Sequence, residues 1–268
     1  MAAHHPDPAG GDTDEILLST DGPVLTVTFN RPSRRNAMTW AMYDGLVEAC
    51  ERADRDDSIR AMVLTGAGDK AFVAGTDIGQ FAEFDSGADG VDYEKHVGAV
   101  IDRLVRVDKP TVATIHGFCV GAGIALAAAC DLRIATRSAR FGVPIARTLG
   151  NCLAPRVQSL LVHHLGPSRT MDMLLTARLL DADEVAGAGF LSRVVAEGEL
   201  DSAAGELTER LAGHAPLTMW AAKETTRRIL AAGVPGDTDI VEHVYGSADF
   251  HAGVASFTSG RRPRWRGR

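Results

Sequence analysis

Two stretches of this chain interrupt a strand with glycines and then start a helix, and that repeated grammar limits the fold more than any other feature. Residues 65–81 read TGAGDKAFVAGTDIGQF and follow a strand-like run over 60–64. Gly66, Gly68 and Gly75 break that run, because glycine enters left-handed backbone without a Cβ penalty. Residues 115–131 read IHGFCVGAGIALAAACD. Here a β-branched run over 111–115 meets Gly117, Gly121 and Gly123, and 124–130 is short-chained with high helix propensity. Each stretch is strand, loop, helix start. Two helix N-termini then present backbone N–H groups that have no carbonyl partner within the helix.

The rest of the chain extends the pattern. Residues 24–29 alternate as a strand that ends at Asn30 and Pro32, and Thr39 caps a helix carrying Met42, Leu46 and Ala49 at helical spacing. Further strands are expected over 132–135 and 193–195. Helices are expected over 97–107, 122–129, 155–165, 168–175 and 182–188. From residue 200 the pattern is purely helical, through Leu207, Leu211, Met219 and Ala222 to Phe257. Alternating strands and helices predict an α/β fold, which periodicity alone leaves open between a doubly wound sheet and a coil of ββα turns.

Composition excludes several classes. A chain of 268 residues with 45% apolar content can bury one sizeable core. The longest apolar run, 124–130, is too short to span a bilayer, and residues 1–15 lack the basic start and apolar stretch of a signal peptide, so no membrane role is expected. Residues 1–14 read as a flexible N-terminal tail. Cys50, Cys119, Cys130 and Cys152 show no metal-like spacing, which points to a reduced, cytoplasmic protein without a metal. A net charge of −7 argues against nucleic acid as a partner. Gly121-Ala-Gly123 lacks the third glycine of a dinucleotide fingerprint, since Leu126 stands there, and residues 66–70 lack the spacing of a phosphate loop.

The chain resembles the crotonase, or enoyl-CoA hydratase/isomerase, superfamily over about residues 18–265. The resemblance rests on six segments in the family's order: FNRPSRRNAMT (29–39), GDKAFVAGTDI (68–78), HGFCVGAGIALAAACD (116–131), ARFGVPIARTLG (139–150), LTARLLDADEVAGAGFLSRVV (175–195) and FTSGRRPRW (257–265). It implies a spiral of ββα units over 15–199 and a C-terminal helical region over 200–268 that makes a homotrimer, with two trimers stacking into a hexamer. It implies an acyl-CoA substrate, with coenzyme A entering as part of that substrate and no permanently bound cofactor. The backbone N–H groups of Thr76 and Ala122 match the family's oxyanion hole, where a thioester enolate places its charge. Arg34, Arg35 and Ala37 match the pantetheine and phosphate side, and Ala74, Asp77 and Ile78 match the adenine pocket. Gly121 and Phe257 also fall on substrate-contacting segments. Arg262, in a run with Arg261, Arg264, Arg266 and Arg268, reads either as part of a solvated end or as a coenzyme A phosphate contact.

The same resemblance exposes two substitutions. The archetypal hydratases use two glutamates, and the matching positions here are Ala125 and Ile145, neither of which can move a proton. The nearest polar replacements are Arg147, Thr148, Asn151 and Cys152. Asn151 and Cys152 also read as turn and core packing, whereas Arg147 beside the acyl group would hold a substrate carboxylate. Glu83, Asp85 and Glu94 sit in a polar segment, 79–96, placed to fold over the site as a lid. Each reads on its own as a solvated surface charge. His116 reads as a structural histidine, and Cys119 as either core or pocket. The expected activity is that of an acyl-CoA-processing enzyme, nominally an enoyl-CoA hydratase. The alternatives are decarboxylation, isomerisation or thioester hydrolysis on the same fold, or a non-catalytic CoA-ester-binding protein.

Overall fold

A computed structural model describes residues 14–231 and 238–260 of the chain. It opens with a hairpin of β1 (Ile16–Asp21) and β2 (Val24–Phe29), in which Ile16 faces Phe29 and Asp21 faces Val24. β2 alternates as its sequence requires, with Leu25, Val27 and Phe29 fully buried. Helix α1 (Trp40–Arg55) starts where Thr39 caps it, its Oγ1 accepting from Met42 N–H at 3.2 Å, and it buries Met42, Leu46 and Ala49.

Three ββα units follow. They are β3 (Ala61–Gly66), β4 (Ala71–Ala74) and α2 (Gly87–Val105); β5 (Thr111–Ile115), β6 (Phe118–Val120) and α3 (Ala122–Ala129); and β7 (Leu132–Thr136), β8 (Arg140–Gly142) and α4 (Ile145–Thr148). Helices α5 (Pro155–Leu165) and α6 (Pro167–Thr176) lead to β9 (Leu180–Asp181), α7 (Ala182–Gly187) and β10 (Arg193–Val195). The first strand of each unit joins a six-stranded sheet of order β1-β2-β3-β5-β7-β10, and the second joins a four-stranded sheet of order β4-β6-β8-β9. That alternation is what coils the chain into a spiral, so the ββα expectation holds and the doubly wound alternative does not.

Helices α8 (Leu200–Ala212), α9 (Pro216–Ala231), α10 (Thr238–Tyr245) and α11 (Ala248–Ser259) complete the described chain, all-helical as expected. Val241, Tyr245, Phe250 and Val254 of α10 and α11 are buried in the same core as the spiral. Among the described residues, no helix is long and apolar enough to cross a membrane.

The largest difference from the sequence expectation is α2. It begins ten residues earlier than the apolar periodicity suggests, so 79–96 is not an open lid segment but a single turn at Ile78–Phe81 followed by helix. Asp89 makes the early start possible: its Oδ2 accepts from Ser86 N–H at 2.8 Å, Ser86 Oγ at 3.0 Å and Asp85 N–H at 3.0 Å. This cap satisfies N-terminal donors that Gly87 and Gly90 would otherwise leave to fray.

Candidate active site

The two glycine loops meet. At the end of β4 the chain turns at Gly75, with φ +104°, and a Cβ placed on Gly121, with φ +57°, would lie 3.2 Å from the Gly75 Cα. Gly123 is tighter still, because a Cβ there would lie 2.1 Å from the Val73 carbonyl oxygen. These close approaches seat the start of α3 directly on β4. Glycine is needed at 75 and 121 for the left-handed backbone, and at 123 for space.

The residues after Gly75 and Gly121 keep their N–H groups out of the surrounding ladders. Met38 bridges the first loop by donating to Gly75 O at 2.9 Å and accepting from Asp77 N–H at 2.8 Å, a register that passes over Thr76 N–H. Ala122 is the first residue of α3, so its N–H has no acceptor within the helix. The Thr76 side chain is pinned: its Oγ1 lies 2.7 Å from the Tyr43 hydroxyl and 2.8 Å from the Tyr93 hydroxyl. Burial pushes both phenols well above the ordinary tyrosine range, so they hold the loop as neutral groups.

Gly75, Thr76, Gly121 and Ala122 line an inner chamber of about 190 Å³. Its walls are mostly apolar, with Phe81, Val97, Ala125, Val143, Ile145 and Val157 among them. It shares the wall residues Ala74, Thr76, Ile78, Val120, Pro144 and Phe257 with an adjoining outer cleft of about 720 Å³. The outer cleft has the size of a typical ligand site, roughly 300–1,000 Å³, and the inner chamber does not. The arrangement therefore suits a ligand whose bulk lies outside and whose small end enters the chamber.

Every coenzyme A residue expected from the resemblance within the described chain lines this site. Arg34, Arg35, Ala37, Ala74, Asp77, Ile78 and Phe257 line the outer cleft. The Arg35 guanidinium stands 5.2 Å from the centre of the Phe118 ring. Arg31, which no sequence motif singles out, joins them. Its guanidinium pairs with Asp77 at 2.9 Å and Glu15 at 3.0 Å and donates to Ala37 O at 2.7 Å, fixing the cleft floor. Arg261 and Arg262 lie outside the described residues.

The candidate acid–base residues fall in different places. Arg147 lines the outer cleft with the other arginines and is not in the chamber wall. Asn151 and Cys152 do line the chamber. Glu94, expected as a solvated charge, is 6% exposed and lines the chamber too. Glu83 and Asp85 are exposed, as expected. Ala125 and Ile145 are wall residues that supply only apolar surface. Cys119 belongs to the core, where burial raises its thiol well above the usual range. His116 lines neither cavity, and burial lowers its imidazole, as befits a structural histidine. Among the described residues, no group of acidic, cysteine and histidine side chains is arranged to hold a metal ion.

Comparison with known proteins agrees with this architecture. The family model for enoyl-CoA hydratase/isomerase matches residues 19–268. The 2,3-dehydroadipyl-CoA hydratase of Escherichia coli K12 is 33% identical over 95% of this chain and 99% of its own. The crystal structure of an enoyl-CoA hydratase/carnitine racemase from Magnetospirillum magneticum superposes with a TM-score of 0.78 at 32% identity, covering 96% of this chain and 97% of that one. A methylmalonyl-CoA decarboxylase shares the fold at a TM-score of 0.87 and 24% identity, covering 95% and 99%. The chain belongs to the enoyl-CoA hydratase/isomerase family.

Proposed function

We propose that the protein is an acyl-CoA-processing enzyme that stabilises a thioester enolate between the N–H groups of Thr76 and Ala122. The observation that carries this reading is the meeting of Gly75 and Gly121, which brings two uncommitted N–H donors to one small chamber. An enolate concentrates negative charge on one oxygen, and a preorganised donor aimed at such an oxygen contributes ~2.7–4 kcal/mol to the transition state. Ala122 adds the positive end of a helix. Coenzyme A would occupy the outer cleft, where Arg34, Arg35 and Arg147 supply cations for its phosphates. The thioester would enter the chamber as the small end of that ligand.

The acyl group is short in this reading, as the small chamber requires. Among the described residues lining the chamber there is no arginine, lysine or histidine, and one carboxylic acid, Glu94, is already there.

Enoyl-CoA hydratase is the nominal activity, and a different reaction at the same oxyanion site is the second reading. The observation favouring the second is that Ala125 and Ile145, matched to the hydratase glutamates, are both apolar wall residues. Isomerisation, decarboxylation and thioester hydrolysis do not need that pair. A CoA-ester-binding role without catalysis is the remaining alternative.

Assembly into a trimer or hexamer is part of the proposal, supported by Leu217, Trp220 and Ile229 of α9, which are exposed at 77%, 42% and 69%. The four cysteines form no disulfide in the structure, which supports a cytoplasmic location as part of this reading.

Crotonyl-CoA hydration, followed by loss of the conjugated thioester absorbance beside a calorimetric CoA-ester titration, tests the reading. Tight binding with turnover supports the hydratase label. Tight binding without turnover moves the assignment to the other enolate reactions, and absence of binding overturns the proposal.

A further inference from the structure

We propose that Glu94 is the proton-transfer residue of this site, taking over from α2 a role that Ala125 and Ile145 cannot perform. The inference rests on the enolate reading above and names the base it requires. Three sets of contacts support it, each independent of the resemblance that identified the empty positions.

The first concerns position. Glu94 follows Tyr93, whose hydroxyl binds Thr76 Oγ1 at 2.8 Å, so the turn of α2 that carries the carboxylate is tied to the loop that supplies one of the two N–H donors. Glu94, Thr76 and Ala122 line one chamber of about 190 Å³, small enough that a thioester carbonyl held by the donors leaves its α-carbon near the remaining walls.

The second concerns how the carboxylate is held. Tyr245 donates its hydroxyl to Glu94 Oε1 at 2.6 Å, and Ala154 donates its N–H to Oε2 at 3.1 Å. Burial and the neighbouring Glu94 charge raise the Tyr245 phenol well above its usual range, so it remains the donor. Two glycines of α2 create this contact. A Cβ on Gly90 would lie 2.0 Å from the Tyr245 ring, and one on Gly87 would lie 2.4 Å from Glu242 O. Helix α10 therefore lies flush on α2 over Gly87 and Gly90, and Tyr245 reaches Glu94 one turn further along the same face. Sequence positions 90, 94 and 245 serve one geometry.

The third concerns the polar surroundings. Asn151 donates its Nδ2 to Tyr245 Oη at 3.2 Å, and its buried Oδ1 has no hydrogen-bond partner among the described residues. An unmet buried acceptor beside a held carboxylate, in an otherwise apolar wall, is the sort of group a substrate or water hydrogen satisfies.

The step balances simply. The Glu94 carboxylate takes a proton from the acyl α-carbon, the C–H electron pair forms the new carbon–carbon π bond, and the carbonyl π pair moves onto oxygen between Thr76 and Ala122 N–H. Return of a proton from Glu94 to carbon restores a thioester. A single carboxylate that removes and returns a proton fits proton shift along the acyl chain better than water addition, which needs a second group.

The test is deuterium incorporation at the α-carbon of butyryl-CoA in D2O, read by mass spectrometry, with butyryl-CoA binding measured by calorimetry on the same samples. Wild type should exchange, and E94Q should bind as wild type but exchange ~10²–10⁴-fold more slowly. Y245F, a change in a positioning residue, should fall between the two, and the double variant should be no slower than E94Q. Exchange by E94Q at the wild-type rate overturns the inference alone. Wild type that binds butyryl-CoA but incorporates no deuterium overturns the enolate reading and this inference with it. Should E94Q fail to fold, Y245F exchanging as wild type overturns the assignment.

Discussion

The two ends of helix α3 are treated in opposite ways. At its C-terminal end the carbonyls are covered: Arg133 Nη1 donates to Ala127 O at 3.0 Å and to Cys130 O at 2.6 Å, and His164 Nε2 lies 3.1 Å from Ala128 O. At its N-terminal end Gly121 and Ala122 open onto the chamber. A helix dipole places partial negative charge at the first of these ends and positive charge at the second. The buried guanidinium compensates the negative end, and the positive end faces the cavity proposed to receive a developing oxyanion. One end is closed by side-chain donors and the other is open to the chamber.

Arg133 gives the largest way to break that contrast. Its guanidinium also donates to Phe190 O at 2.5 Å and to Asp131 O at 3.2 Å, and it is 4% exposed. Arg133→Met should leave several buried carbonyls unmet at ~1–3 kcal/mol each, so the loss of stability should exceed ~3 kcal/mol. Urea unfolding measures it; a loss below ~1 kcal/mol would show that the C-terminal end does not depend on the guanidinium.

His164 sharpens the same contrast through pH. Burial, with the nearby Arg133 charge second, pushes its imidazole down from 6.5 to about 4. The unfolded state then binds a proton that the folded state refuses. The contribution of His164 is fully present above pH 6.5 and is lost as pH falls toward 4, amounting to ~3 kcal/mol across that window. His164→Gln should flatten this part of the stability profile while keeping a donor for Ala128 O. An unchanged acid limb would place the titration elsewhere.

These ends also differ in how openly the sequence announces them. The glycines at 75, 121 and 123 are legible because backbone geometry restricts the residue type. Five of the six strands of the larger sheet are legible from their apolar and β-branched runs, whereas β1, largely exposed, is not. The four-stranded sheet is not, since its strands of two to four residues are too short to display a period. Glu94 escapes a sequence reading because DSGADGVDYEK looks like a solvated loop. The available signal is the Ser86 and Asp89 capping pair, which starts a helix early enough to put Gly90, Glu94, Val97 and Ile101 on one face. Tyr245, the partner that holds Glu94, lies 151 residues away, and no local pattern joins the two. Arg147 misleads for a related reason. Nearness in sequence to Ile145 suggests a place beside the acyl end, whereas α4 directs the two residues to different cavities.

The most direct test of the account removes one proposed donor without removing a polar side chain. Proline is tolerated at the first position of a helix, as Pro155 and Pro167 show in α5 and α6, because the N–H it lacks has no helical acceptor. Ala122→Pro therefore deletes a single N–H at the mouth of α3 while keeping the helix. The rate of α-deuterium exchange into bound butyryl-CoA should fall ~10²–10³-fold with the circular dichroism spectrum and the binding affinity retained. Exchange at the wild-type rate would show that no charge develops against Ala122 N–H, and would contradict the enolate site at the start of α3.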